Sequence, residues 1–237
     1  MKTFGLIGKS LSHSFSARYF NKKFYKEKIT DAEYLNFEIN DISKFTHLIK
    51  IQKLSGLNVT IPYKESIIPF LDELTEDAKS IRSVNTIQFK NNKLIGHNTD
   101  IIGFKQSILP ILDGRDSALI LGDGGAAKAI KLGLEQLNIS FKIVTRKSSF
   151  SYSDISIQDI DLNRIIINTT PLGMFPNTEN YPKIPYEALT EKHLLFDLIY
   201  NPSETLFLRY GRAHNSKTKN GLEMLQIQAE TSWRIWI

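Results

Sequence analysis

Two short polar segments each end in a side chain that can move a proton. Residues 58–64 end in Lys64, and residues 98–100 end in Asp100. A carboxylate near an amine orients it and favours its charged form, which suits general acid–base work. We therefore interpret Lys64 and Asp100 as a candidate catalytic pair, with plain surface charge as the alternative.

A glycine-rich turn follows the apolar residues 118–121 and precedes a helical pattern over 126–137. This strand–turn–helix context predicts a turn that holds a dinucleotide pyrophosphate at the helix N-terminus, with an ordinary glycine loop as the alternative. A carboxylate at Asp123 would repel the phosphates, so we expect it to face outward. The residues predicted to hold the pyrophosphate are Gly122, Gly124, Gly125, Ala126 and Ala127.

The end of the next predicted strand bears on the choice of dinucleotide. NAD-binding proteins place an acidic residue there for the ribose diol, whereas this strand ends in Thr145, Arg146 and Lys147. An arginine can meet a 2′-phosphate through its planar fork. The sequence therefore favours NADP over NAD, with a solvated strand end as the alternative.

Short hydrogen-bonding side chains precede and surround the acid–base candidates. Ser12, Ser14 and Ser16 lie between a strand and a helix, where capping the helix is the alternative role. Asn58 and Thr60 alternate with apolar residues and so share one strand face, and Asn85 interrupts an apolar strand. These side chains suit a small polar substrate. Pro62 favours a helix start, which would put Lys64 in a first turn.

Periodicity predicts an α/β fold with two domains divided near residue 100. Strand patterns cover 3–8, 35–39 (with Leu35 on the apolar face) and 57–61, and Asn91-Asn92 joins a hairpin. Ser16 is available to cap a helix bearing Phe20 and Phe24. After residue 100, strands alternate with helices, which implies parallel pairing through right-handed crossovers. These later segments are 101–112, 118–121, 126–137, 141–145, 165–168, 194–199, 204–213 and 222–236.

Composition excludes several classes of protein. The 237 residues carry a net charge of +5 without a long basic block, which disfavours a nucleic-acid partner. No apolar run approaches the ~20 residues needed to cross a bilayer. With no cysteine, disulfides and thiolate sites are excluded, and we expect a cytoplasmic location. The five histidines lack metal-ligand spacing, so no metal is expected.

A series of motifs resembles the shikimate dehydrogenase family from Phe4 to nearly the end of the chain. The motifs include Asn-Val-Thr-Ile-Pro-x-Lys at 58–64, Asn-Thr-Asp at 98–100, Asn-Thr-Thr-Pro-Leu-Gly-Met at 168–174 and Asn-Gly-Leu-x-Met-Leu-x-x-Gln-Ala at 220–229. The resemblance implies NADP-dependent interconversion of 3-dehydroshikimate and shikimate in aromatic amino-acid biosynthesis. It also implies an N-terminal α/β substrate domain, a Rossmann-like parallel-sheet domain and an interdomain cleft. The implied domains are residues 1–100, joined by the helix at 222–237, and residues 101–221.

The resemblance also implies roles for individual residues. Lys64 and Asp100 would be the catalytic pair. The implied substrate-binding residues are Ser14, Ser16, Asn58, Thr60, Asn85, Tyr200 and Gln228. The implied cofactor-binding residues beyond the glycine turn are Glu76, Thr145, Arg146, Lys147, Thr169, Leu198, Gly221 and Met224.

The chain departs from the family pattern at Ala17, Asp123 and Thr145, and its final helix stops at Ile237. Two other functions stay open. One is a relative that also accepts quinate, or uses NAD. The other is a regulatory protein that binds a dinucleotide without chemistry, although such a protein has no need of Lys64 and Asp100. We expect a monomer or a homodimer.

Overall fold

The computed structural model describes residues 1–12, 14–146 and 150–237. They form two compact units. The first comprises Met1–Thr99 and Ala229–Ile237, and the second comprises Asp100–Gln228. Lys147, which is predicted to meet a 2′-phosphate, lies outside the described residues.

The first unit is built on a six-stranded mixed sheet. Its strands are β1 (Lys2–Gly8), β2 (Ala32–Glu38), β3 (Leu54–Val59), β4 (Glu73–Leu74), β5 (Thr86–Lys90) and β6 (Lys93–His97). Their order is β2-β1-β3-β5-β6-β4, with β5 antiparallel to both of its neighbours. Asn58 pairs with Thr86, and Thr86 pairs with His97. This register brings the ends of β1, β3 and β6 and the start of β5 to one edge of the sheet.

Helices cover both faces of this sheet. They are α1 (Phe15–Glu27), α2 (Phe45–Ile51) and α3 (Glu76–Ile81), with single turns at Ile42–Lys44 and Ile68–Phe70. On one face Phe45 packs with Ile7 and Leu57. On the other face Phe4 and Phe20 pack with Trp233, which belongs to the final helix of the chain. The end of that helix is therefore part of this unit's core.

The second unit contains a five-stranded, wholly parallel sheet. Its strands are β7 (Ser117–Leu121), β8 (Ser140–Val144), β9 (Ile165–Asn168), β10 (Leu194–Asp197) and β11 (Lys217–Lys219), in the order β11-β10-β9-β7-β8. Its helices are α4 (Asp100–Ile108), α5 (Gly125–Gln136), α6 (Ile157–Leu162), α7 (Leu206–Ala213) and the first turns of α8 (Leu222–Trp236). Single turns occur at Leu109–Ile111, Tyr152–Asp154 and Tyr186–Ala188. Strands buried on both faces are typical of parallel sheets between helices.

Alternate residues of β7 show why both faces of the second sheet are covered. Ala118 and Ile120 lie in a core cluster with Phe104 of α4 and Ile130 of α5. Leu119 and Leu121 lie in a separate cluster that includes Phe207 of α7. The predicted α/β class with a parallel sheet after residue 100 is confirmed. The predicted hairpin is also confirmed, with Asn91 and Asn92 at φ of 51° and 59°.

Three local predictions were wrong. Lys64 lies in a series of turns rather than a helix, because Tyr63 bonds back to Thr60 and Ile67 to Tyr63 without forming a continuous ladder. The N-cap of α1 is Ser14, not Ser16, since the helix begins at Phe15. In β2 the buried side chain is that of Tyr34, which stacks on Phe20 with ring centroids 4.5 Å apart. Leu35, expected on the apolar face, is 40% exposed because β2 is an edge strand.

Candidate active site

The loop that carries the two serines is fastened to β2. The Leu11 N–H donates to Glu38 Oε1 at 2.6 Å, and Asn36 Nδ2 donates to the Leu11 carbonyl at 3.2 Å. Ser14 then caps α1 by accepting from the Ala17 N–H at 3.4 Å. Ser14 and Ser16 are both half-buried at the start of α1. Two hydroxyls therefore stand at a helix N-terminus, where an anion is stabilised.

Asn58 is buried, and its amide bonds to groups of its own unit. Its Oδ1 accepts from the Tyr34 hydroxyl at 2.8 Å. Its Nδ2 lies 2.9 Å from Ser232 Oγ, 3.1 Å from Thr86 Oγ1 and 3.1 Å from the Asn85 carbonyl. Both amide hydrogens have acceptors in this network. The predicted substrate contact of Asn58 stays a prediction.

Asn85 has its amide orientation fixed by the backbone that leads to Asp100. Its Oδ1 accepts from the Thr99 N–H at 2.8 Å and lies 3.2 Å from Thr99 Oγ1. The carbonyl oxygen of this amide is therefore held by the backbone and hydroxyl of Thr99. Thr60, the remaining predicted hydroxyl, is half-buried just after β3, and its N–H donates to the Ile7 carbonyl.

Lys64 and Asp100 each adjoin the backbone that surrounds Asn85. The Lys64 carbonyl accepts from the N–H of Val84, the residue before Asn85, at 2.8 Å. Asp100 is the first residue of α4 and follows Thr99 directly. Both side chains are half-buried. Their action as a pair stays a prediction.

The glycine turn has the geometry that its sequence predicts. Gly122 has φ of +102°, and a Cβ there would lie 2.8 Å from the Thr170 methyl and 2.9 Å from Thr169 Oγ1. Helix α5 begins at Gly125, and a Cβ added at Gly124 or Gly125 would meet nothing within 4 Å. This open space before the N–H groups of α5 fits a pyrophosphate.

The residues that flank this turn also fit a bound dinucleotide. Ala127, in the first turn of α5, is fully buried, as the small third position requires, and Ala126 is exposed. Asp123 pairs with Lys131 at 2.7 Å and is half exposed, so the prediction that it faces outward is confirmed. Thr145 and Arg146 follow β8, with Arg146 exposed.

The ends of β9 and β10 carry the other predicted cofactor residues of this unit. Thr169 donates from its N–H and its hydroxyl to the Leu121 carbonyl, at 3.0 and 2.8 Å. Gly221 packs against the backbone of Leu198, and its N–H donates to the Ile199 carbonyl at 3.1 Å. Met224 is buried in the core below. The backbone that follows β10 therefore meets the backbone that precedes α8 at Leu198 and Gly221.

The remaining predicted residues have less defined surroundings. Tyr200 follows β10 and is half-buried, as is Gln228 in α8. Glu76 is the exposed first residue of α3, in the first unit. Their predicted ligand contacts stay predictions.

Replacing Gly221 by alanine should destabilise the second unit. The new Cβ would lie 2.1 Å from the Leu198 carbonyl oxygen, a backbone atom that cannot turn away. We expect a loss of roughly 1–3 kcal/mol in the free energy of unfolding, measured by urea titration. The matched control is Gly125→Ala, which adds the same atom to open space at the start of α5 and should leave stability unchanged or raise it by up to about 1 kcal/mol. Equal stability of Gly221→Ala and the wild type would contradict the close approach.

A buried carboxylate, Asp197, ends β10 and was missed by the sequence analysis. It accepts from Asn168 Nδ2 and the Ile199 N–H, both at 3.0 Å, and from the Thr205 hydroxyl at 2.6 Å. Among the described residues it makes no ion pair. An acidic residue that ends an apolar strand was the available signal. Burial raises the pKa of Asp197 to about 6, and hydrogen bonds from Thr205, Ile199 and Asn168 offset part of that rise.

Asp197→Asn should remove a pH dependence of stability. A folded pKa of about 6 against the usual 3.8 means that the folded protein holds this proton more tightly. The contribution to the free energy of unfolding therefore falls as the pH rises from about 4 to about 6, by ~3 kcal/mol in all. Urea unfolding at both ends of that range should show the wild type losing this amount relative to the variant. Parallel pH dependence of the two proteins would contradict the raised pKa.

The groups that hold Asn58 and Asn85 were also not predicted from the sequence. Tyr34 is 2% exposed, and its hydroxyl lies beside Ser16. Ser232 of α8 bonds to Thr86 Oγ1 at 2.8 Å. These partners come from distant parts of the chain, so no local pattern marks them.

In residues 1–12, 14–146 and 150–237, no group of three or more histidines and carboxylates is placed to hold a metal ion. Within the same ranges, no helix has the length and apolar character needed to span a membrane.

The chain is similar in sequence to known proteins. A family model described as the shikimate dehydrogenase substrate binding domain matches residues 6–87. A Clostridium beijerinckii protein named shikimate dehydrogenase (NADP(+)) is 39% identical over 253 residues, covering 100% of this chain and 92% of the relative.

Solved structures extend the match to the whole fold. A shikimate dehydrogenase solved in complex with NADP+ is 34% identical, with a TM-score of 0.86 over 100% of this chain and 90% of that one. Shikimate 5-dehydrogenase of Listeria monocytogenes, solved in complex with shikimate and NAD, is 26% identical, with a TM-score of 0.90 over 100% of this chain and 91% of that one.

A wholly parallel sheet with a glycine turn at the N-terminus of α5 defines a Rossmann-like dinucleotide-binding protein. At the level of family, the chain belongs to the shikimate dehydrogenases, with relatives aligned over its full length. The resemblance inferred from the sequence motifs is confirmed.

Proposed function

We propose that this protein catalyses the NADP-dependent interconversion of 3-dehydroshikimate and shikimate in aromatic amino-acid biosynthesis. The observation that carries the proposal is the arrangement around Asn85. Its amide is fixed by Thr99, while Lys64 bonds to the preceding residue and Asp100 follows Thr99. Family membership over the whole chain supports the same reaction.

We assign the substrate carboxylate to the serines at the start of α1. Ser14 and Ser16 stand at a helix N-terminus, which favours an anion, and Tyr200 would add a hydroxyl. Thr60, Asn85 and Gln228 would bond the ring hydroxyls. A site built from such groups rejects analogues that lack the hydroxyl, because its buried partners are left unpaired.

Asn58 supports this site through its hydrogen bonds to neighbouring protein groups. Its two amide hydrogens already have acceptors in Ser232, Thr86 and the Asn85 carbonyl, and it is 6% exposed. We therefore expect it to hold Asn85 and the end of β3 in place, while the direct bond to the substrate that the family resemblance implies stays a prediction.

Lys64 supplies the proton in our assignment. As an ammonium it hydrogen-bonds the carbonyl oxygen of 3-dehydroshikimate, stabilises the negative charge that grows there, and donates its proton. In the oxidation direction the neutral amine accepts the hydroxyl proton. Asp100 orients the amine in this assignment. Such acid–base help contributes typically ~10²–10⁴ in rate.

The chain's own residues would hold NADP in three places. The pyrophosphate would lie at the N–H groups of Gly124 and Gly125, and the 2′-phosphate would meet Arg146, with Thr145 beside it. Thr169, Leu198, Gly221 and Met224 would flank the nicotinamide, which supplies or accepts the hydride when bound. Roles for Glu76 and Lys147 at the cofactor are kept from the family resemblance as predictions.

An enzyme with broader specificity is the second candidate. The Listeria monocytogenes structure was solved with NAD, which shows that a similar fold can be crystallised with the other dinucleotide. Arg146 argues against strict use of NAD in this chain. The third candidate, a regulator without chemistry, lacks a reason to keep Lys64 beside a fixed Asn85. A cytoplasmic location and a monomeric or homodimeric state stay predictions.

One assay separates these candidates. NADPH absorbance is followed with 3-dehydroshikimate, and then NADP+ and NAD+ are each offered with shikimate and with quinate. The proposal predicts rapid NADPH loss and a strong preference for NADP+ with shikimate. Comparable rates with quinate or NAD+ would support the broader enzyme. Binding of NADPH without any turnover would support the regulator.

A further inference from the structure

Asp197 is the one buried carboxylate of the described residues that the proposed chemistry does not use, and it is fully buried. Its three donors come from three segments: Asn168 ends β9, Ile199 follows β10, and Thr205 caps α7. An ionised carboxylate accepts at both oxygens and has no hydrogen of its own. It can therefore hold three donors together in one arrangement, which an amide or an apolar side chain cannot do.

A first path of hydrogen bonds runs from Asp197 to the loop after β9. Asn168, which donates to Asp197, accepts through its Oδ1 from the Thr170 N–H at 3.0 Å and the Thr170 hydroxyl at 2.6 Å. Thr170 Oγ1 in turn accepts from the Leu172 N–H at 3.2 Å. Within this loop Thr169 bonds to the Leu121 carbonyl, and the Thr170 methyl packs on Gly122. The orientation of Asn168 thus sets the loop that lies on the glycine turn.

The second path leads to the loop after β10. The Ile199 N–H donates to Asp197, and the Ile199 carbonyl accepts from the Gly221 N–H at 3.1 Å. Gly221 lies against the Leu198 backbone, and the Leu198 N–H donates to the Asn168 carbonyl at 3.1 Å. The two paths therefore rejoin at Leu198.

We propose that Asp197 is a positioning residue that sets the nicotinamide half of the cofactor site through Asn168 and Ile199. The residues it places, Thr169, Leu198 and Gly221, are those assigned to the nicotinamide, so the inference rests on the proposed function. Asp197 itself makes no hydrogen bond to the pyrophosphate turn, which follows β7, or to Arg146, which follows β8, among the described residues. Its influence on that turn is limited to the contacts of Thr169 and Thr170 with Leu121 and Gly122.

This division gives a test with two ligands. Binding of NADP+ and of 2′,5′-ADP, which lacks the nicotinamide half, is measured calorimetrically for the full chain and for Asp197→Asn. The amide places N–H hydrogens where a donor must be accepted, which displaces at least one of the three segments. We expect NADP+ to bind about tenfold more weakly and 2′,5′-ADP to be weakened much less, because only the Thr169 and Thr170 contacts with the glycine turn connect Asp197 to its phosphate.

The matched control is His193→Gln at the opposite end of β10. His193 is also buried and hydrogen-bonded, to Thr190 and to the Ile160 carbonyl. Its variant should lose stability while both ligands bind as in the wild type.

Should Asp197→Asn fail to fold, Thr205→Val removes one donor at similar volume, and Thr205→Ser restores the hydroxyl. Thr205→Val should weaken the binding of NADP+ much more than that of 2′,5′-ADP. Thr205→Ser should restore the binding of NADP+.

Two results would overturn the inference. One is equal weakening of both ligands by the Asp197 or Thr205 variants, which would indicate general loss of structure. The other is unchanged binding of NADP+. Failure of the wild type to bind 2′,5′-ADP is a different outcome, since it would remove the proposed NADP site and the inference with it.

Discussion

Lys64→Ala should lower kcat by ~10²–10⁴ while changing the KM for shikimate much less. The reason is that the ammonium acts most strongly on the oxygen as it gains charge in the transition state. Lys64→Arg keeps the charge but cannot release a proton at neutral pH, so it should also lose most turnover. Steady-state kinetics in both directions measure these effects.

The control for this prediction is Lys50→Ala. Lys50 is an exposed lysine of the same unit, in the last turn of α2, and its loss should leave kcat unchanged. The link to Asp100 is tested by a double mutant. If the two groups work as a unit, Lys64→Ala combined with Asp100→Asn should be little slower than Lys64→Ala alone. A kcat for Lys64→Ala within about tenfold of the wild type would show that the assigned role is wrong.

Arg146→Ala should raise the KM for NADP+ by about 10–100-fold and leave the KM for NAD+ nearly unchanged. With NADP+ the variant loses a charged hydrogen-bonded pair with the 2′-phosphate, whereas NAD+ has no 2′-phosphate to form that pair. Arg146→Lys keeps the charge without the planar fork, so its KM for NADP+ should fall between those of the wild type and Arg146→Ala.

Arg209→Ala provides the comparison for Arg146. Arg209 is an exposed arginine of the same unit, in α7, within 4.0 Å of Glu204. Its loss removes the same formal charge from the protein without touching the predicted site. If Arg209→Ala shifted the NADP+ preference as much as Arg146→Ala, general charge rather than a specific contact would explain the effect.

Strong local patterns allowed much of the fold to be predicted. The predicted segments 165–168 and 222–236 coincide with β9 and α8, because each is a clear run of buried or helically spaced apolar residues. The hairpin at Asn91-Asn92 followed from turn chemistry, since asparagine tolerates positive φ. The glycine turn followed from its strand–turn–helix context.

Other parts depended on tertiary contacts that a sequence does not display. The alternation around Leu35 predicted the strand but not that Tyr34 would be the side chain buried against α1. The segment around Lys64 lacked a competing signal for turns, so Pro62 was read as a helix start. The short strands β4 and β11 and the helix α3 carry too few residues to show a period.

The candidate site, like the fold, contains residues that the sequence predicted and partners that it did not. Residue types and motif order indicated Ser14, Lys64, Asn85, Asp100 and the glycine turn. The groups that hold them are hydrogen-bond partners distant in sequence, such as Ser232 for Asn58 and Thr205 for Asp197. Only the folded chain brings these pairs together, which is why Asp197 and Tyr34 were missed.

Transfer of a labelled hydride tests the central claim most directly. NADPH carrying deuterium at one or the other hydrogen of nicotinamide C4 is incubated with 3-dehydroshikimate, and the product is analysed by mass spectrometry. Our account predicts shikimate that contains a single deuterium from one labelled form and none from the other. Unlabelled shikimate from both forms, or no shikimate from folded protein that binds NADPH, would contradict it.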